Sequence, residues 1–113
     1  MKIDVRFRGL EPSDALRDHA VRAIQFHLRR FGQEISWVLV RISDVNGPKG
    51  GLDKQCQVTV HGRRLSNVIL DDLSGDAHSA IDMAVERVSR AVARDLQRVR
   101  GARAPFPMPR RAS

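Results

Sequence analysis

The sequence predicts an α+β domain of order β-α-β-β-β-α, a four-stranded mixed sheet with two helices on one face. Two periodicities and one kind of punctuation carry this reading. Apolar residues alternate at period two near the N-terminus and in the middle of the chain, and recur at helical spacing in two longer stretches. Glycine, proline and asparagine fall between these segments. At 113 residues the chain suits one domain that buries roughly 65% of its unfolded surface.

Residues 2–8 alternate so that Ile3, Val5 and Phe7 share one face and charged residues the other, the pattern of a half-buried strand. After Gly9, residues 12–31 place Leu16, Ala20, Ala23, Ile24, Leu28 and Phe31 on one helical stripe, with Ser13 or Asp14 as N-cap and Gly32 as the stop. Residues 35–45 read as a strand with Val38, Val40 and Ile42 inward and Trp37, Leu39 and Arg41 outward. The run Asn46-Gly47-Pro48-Lys49-Gly50-Gly51 is loop chemistry. A further strand follows with Cys56, Val58 and Val60 inward, then a turn at Gly62-Arg63 and a last strand over 65–70, giving an antiparallel meander.

From about Ser74 to Arg100 the helical period returns, with Ala77, Ala80, Ile81, Ala84, Val85, Val88, Val92, Leu96 and Val99 on one stripe. Asp76 and Asp82 near its start suit the helix dipole. Residues 1–101 form the expected domain and 102–113, rich in proline and arginine, a disordered tail. The first helix crosses over between parallel strands, and the free sheet face shows Arg6, Arg8, Arg41, Gln57 and Thr59 to water.

Lys plus Arg number 20 against 13 Asp plus Glu, a net charge of +7, with a pI near 11.2. Such a balance points to a polyanionic partner, nucleic acid first. No apolar run reaches the roughly 18 residues of a membrane span, and no secretory leader is visible, so the expected location is the cytoplasm. The single cysteine, Cys56, sits in a strand pattern and reads as a small buried hydrophobe.

On the second helix Arg87, Arg90, Arg94 and Arg98 fall within an arc of about 80°, a positive ridge that can track phosphates. A solvated arginine face that merely complements the helix dipole is the plainer account. On the first helix Arg22 and Arg29 lie opposite the apolar stripe and Arg30 on its flank, with Phe26 on the same outward side. Phe26 is either a stacking aromatic or a scattered surface apolar residue.

His19, His27, His61 and His78 lack the spacing of a metal motif, and Asp44-Val45-Asn46-Gly47-Pro48 departs from a calcium loop, so neither metal nor cofactor is expected. Asp44, Asn46, Asp53 and Lys54 form a polar cluster beside the glycine loop. No nucleophile elbow or phosphate loop accompanies it, and no small-molecule substrate follows from it.

The entry Arg8-Gly9 followed by Ser13-Asp14-Ala15-Leu16-Arg17, and the segment Asp76-Ala77-His78-Ser79-Ala80-Ile81-Asp82 running into Ala84, Arg87, Arg90 and Arg94, resemble the ribosome hibernation-promoting and ribosome-associated inhibitor family, also called sigma-54 modulation proteins. The resemblance spans about residues 2–100. It implies a fold like a double-stranded-RNA-binding domain whose basic helices occupy the small-subunit channel for messenger and transfer RNA. The family's basic ridge falls on Arg87, Arg90 and Arg94, with Arg22, Arg29 and Arg30 from the first helix. His78 stands where the family commonly has tyrosine, Phe26 and Ala23 where lysines are common, and Ala91 where glutamine is frequent, which marks a divergent branch. The dimerisation domain of longer members has no counterpart here, which implies the short-form pattern.

The leading expectation is therefore a non-enzymatic, stress-linked translation regulator that contacts 16S rRNA of the small subunit through arginines of both helices, Arg98 included. The alternative is a protein-interaction module that keeps the fold without the ribosome, and an enzyme built on Asp44, Asp53 and Lys54 ranks last. Oligomeric state is left open.

Overall fold

A computed structural model describes residues 1–45 and 53–102. The observed order is β1 (Lys2–Arg8), α1 (Asp14–Leu28), a single 3-10 turn (Arg29–Phe31), β2 (Ile35–Asp44), β3 (Lys54–Gly62), β4 (Leu65–Ser74) and α2 (Ala77–Ala102). The strands lie in the sheet in chain order, β1-β2-β3-β4. β1 pairs parallel to β2, as a helical crossover requires, and the β2, β3 and β4 pairings are antiparallel. The expected α+β class and mixed sheet are what the chain adopts.

Alternation sets which side chains are buried. Val5 on β1, Val38, Val40 and Ile42 on β2, and Cys56, Val58 and Val60 on β3 all face the helix layer. They meet Ala20, Ile24 and Leu28 from α1 and Ala80, Ile81, Ala84, Val85, Val88, Val92 and Leu96 from α2. Small alanines on both helices let the backbones approach one another and the sheet. Burial pushes the Cys56 thiol up to about 12, with Asp72 adding to the effect, so the thiolate is suppressed and the residue packs as a hydrophobe.

The side chain of Ser13 caps α1, its hydroxyl oxygen accepting from the Leu16 amide at 3.2 Å. Asp76 does the same for α2, accepting from the Ser79 amide at 3.0 Å and the Ser79 hydroxyl at 3.1 Å. Those bonds favour the carboxylate and hold its pKa below the ordinary value. A depressed pKa contributes stability above the unfolded value and loses that contribution as pH falls through the folded one. The stability difference between the native chain and Asp76→Asn, which keeps the acceptor oxygen, is therefore expected to shrink on acidification below about pH 4, as read from melting curves by circular dichroism.

The boundaries differ from the sequence expectation in three places. β4 continues past Leu70 to Ser74 because Asp71, Asp72, Leu73 and Ser74 pair with Gln57, Cys56, Gln55 and Lys54, and α2 correspondingly starts at Ala77 and not at Ser74. The first helix closes at Leu28, so Arg29 and Arg30 belong to the 3-10 turn. Asp82 does not serve the α2 N-terminus but lies 2.7 Å from His19 Nε2 on α1. The Asn46 to Gly51 loop and the tail from 103 onward fall outside the described residues.

Candidate nucleic-acid interface

α1 and α2 run side by side on the sheet. His19 on α1 meets His78 and Asp82 near the start of α2, with the two imidazoles edge to face at 4.8 Å. At the other end Leu96 lines an open depression of about 470 Å³ together with Arg29, Arg30, Phe31, Gln33 and Glu34. The arginine-bearing faces of both helices thus belong to one layer, and the basic end of α1 lies beside the C-terminal half of α2.

Within that layer the seven expected arginines have different surroundings. Arg22 and Arg94 are exposed and meet no acid among the described residues. Arg29 is exposed on the 3-10 turn, and the guanidinium of Arg30 lies 4.6 Å over the Phe31 ring, which orients it by cation–π attraction. Arg90 forms an exposed i,i+4 ion pair with Glu86 at 3.2 Å, weak enough to exchange for another anion. Arg98 is bonded to Asp95, whose side chain is buried, while its own side chain stays largely exposed.

Arg87 has a structural duty that periodicity does not reveal. Its Nη1 donates to the Asp71 carbonyl at 3.0 Å and to the Asp72 carboxylate at 3.2 Å, tying α2 to β4. Arg17, part of the family-like entry motif, is also structural: its Nη1 donates to the Val5 carbonyl at 3.0 Å and its guanidinium covers Phe7.

Two further arginines join the candidate surface. Arg63 and Arg64 form the exposed turn between β3 and β4, and Gly62 beside them abuts Glu34, which places them at the same end as Arg29 and Arg30. The sequence shows both residues openly. What it does not show is that the hairpin ends against Glu34, just beyond the 3-10 turn that carries Arg29 and Arg30.

Phe26 is 79% exposed and stands one turn from Arg22 and from Arg30. Among the described residues its one ring contact is edge to face with His27 at 5.0 Å. At the opposite end of the sheet Lys54 Nζ lies 3.1 Å from Asp53 and 3.5 Å from Asp44, an ion-paired closure of the β2 and β3 ends. The Asp53 hydrogen bond, followed by the charges of both acids, raises the Lys54 pKa, which is the reverse of what a general base needs. No group of three or more His, Cys, Asp or Glu able to hold a metal occurs among the described residues. No helix among them is long and apolar enough to cross a membrane.

Fold and surface together define a small helix-on-sheet α+β domain with a basic helix layer. The sequence profile described as "Sigma 54 modulation protein / S30EA ribosomal protein" matches residues 3–100, and the chain belongs to this family. No curated protein sequence matches it. Among solved structures, the N-terminal domain of Protein Y from Thermus thermophilus is 26% identical with a TM-score of 0.67, covering 83% of this chain and 98% of that one. A ribosomal subunit interface protein from Coxiella burnetii, 18% identical over 83% of this chain and 96% of its own, has the same fold with a TM-score of 0.67.

Proposed function

We propose that this chain is a ribosome-associated translation regulator of the hibernation type, which binds small-subunit 16S rRNA through the arginines of both helices and blocks translation by occupancy. The observation that carries this reading is the single basic layer in which Arg22 and Arg94 stand exposed without an acidic partner among the described residues, with Arg29, Arg30, Arg63 and Arg64 clustered at one end. Family membership supports the ribosome as the source of the polyanion. Action by occupancy needs no catalytic group.

The test is co-sedimentation of the full chain with purified small subunits through sucrose gradients over a salt series. Each phosphate neutralised contributes a slope of roughly −0.7 to −0.9 in log K against log salt, so co-migration at low salt that fades steeply is the expected outcome. Free protein at the top of the gradient at low salt would defeat the proposal. It would turn attention to a protein partner for the exposed Phe26.

A further inference from the structure

The sheet face turned away from the helices carries a second surface of different composition. Register sets Lys2 beside Trp37 and Trp37 beside His61. The Trp37 and His61 rings stack at 5.2 Å with planes 16° apart. His61 is fixed in this pose by Nδ1, which lies 2.6 Å from the side-chain oxygen of Asn67 and must donate to it. Trp37 remains 38% exposed, and an open groove of about 560 Å³ runs beside it along β1, lined by Lys2, Asp4, Arg6 and Leu39.

Four residues along β2, roughly 13 Å away, Arg41 sits directly opposite Arg6 on one side and Gln57 on the other. Like charges opposed across a sheet repel. Arg6 is relieved by Asp4 at 3.0 Å, whereas Arg41, Arg8 and Lys2 meet no acid among the described residues. A stacked aromatic pair with an open flank, beside cations that nothing neutralises, matches a ligand with flat π-faces and repeated negative charge.

We infer that this outer face binds single-stranded RNA, with a base stacked on the Trp37–His61 pair and the sugar-phosphate backbone passing Lys2 and Arg41. Aromatic residues on an open four-stranded sheet are one of the ways proteins hold unpaired bases. Charge complementarity selects this occupant over a protein segment: the acids of the face, Asp4 and Asp71, already accept from Arg6 and Gln55. The surface is distinct from the helix layer and lies on the far side of the sheet from it.

Trp37 is the one tryptophan in the chain, so its fluorescence reports on the site directly. Titration of the full chain with a short oligouridylate at about 50 mM salt is expected to give saturable quenching. Arg41→Glu should weaken binding roughly tenfold or more, and Trp37→Ala roughly ten- to hundredfold, the latter read by anisotropy of a labelled oligonucleotide. Both side chains are exposed, and circular dichroism checks that each variant folds. Reversal of Arg22, Arg90 and Arg94 should leave the quenching in place, which separates this surface from the helix layer. Absence of quenching would overturn the inference. So would quenching that survives Arg41→Glu and is lost on reversing the helix arginines, or sedimentation velocity showing a dimer of the chain that Trp37→Ala dissociates.

Discussion

A chain in which Arg22, Arg90 and Arg94 are all replaced by glutamate is expected to bind small ribosomal subunits roughly a hundredfold more weakly than the native chain at about 0.1 M salt. Three lost phosphate contacts, each with a slope of about 0.7 to 0.9, account for that factor through counterion release alone, and repulsion by the new acids adds to it. These three residues are chosen because their replacement leaves the fold alone. Arg22 and Arg94 meet no acid among the described residues, and Arg90 gives up an exposed pair with Glu86, worth about 0.5 kcal/mol or less, with a like-charge i,i+4 cost of similar size in its place. Arg87 is excluded, since its removal would strip a partner from Asp71 and Asp72 and mix lost binding with lost stability. Gradient profiles beside melting curves decide the matter. Unchanged association in a folded triple variant would sink the helix-layer reading.

Gly62→Ala is expected to cost about 3 kcal/mol or more, the upper end of what forced overpacking produces. A Cβ at this position would lie 1.9 Å from the Glu34 carbonyl oxygen and 2.9 Å from Leu65 Cδ1. The first neighbour is backbone, held where the register of β2 against β3 shifts and Ile35 pairs with Gly62. Neither strand can yield without breaking that pairing, because Ile35 and Leu65 on either side are themselves buried. The shift in the urea midpoint measures the effect, and a midpoint within experimental error of the native one would show that the hairpin end tolerates displacement.

Periodicity made most of the architecture legible because burial on one face leaves a direct trace in residue spacing. Val38, Val40 and Ile42 could be assigned inward by alternation alone, as could Ile24 and Leu28 by helical spacing. β4 was legible only in part. Its second half, Asp71-Asp72-Leu73-Ser74, has no apolar alternation and is a strand because β3 offers it partners along its whole length. The candidate site was legible as a set of arginines and illegible as an arrangement. Spacing places Arg87 and Arg94 on one ridge, yet only the tertiary structure shows that Arg87 is engaged by β4. It also shows that Asp95, three positions before Arg98, is buried. The meeting of His19 with His78 and Asp82 joins residues from opposite ends of the chain, which no local pattern encodes.

The Arg87 contact also bears on how the chain behaves in a crowd. β4 is an edge strand, and an open edge is a template on which another chain can add a strand and begin aggregation. Arg87 already occupies the Asp71 carbonyl and holds the Asp72 carboxylate, so an incoming strand meets a fixed cation and two adjacent acids where it would need bare backbone. The residue that reads from the sequence as one more cation for a polyanion is, by position, a guard on one of the sheet's two edges.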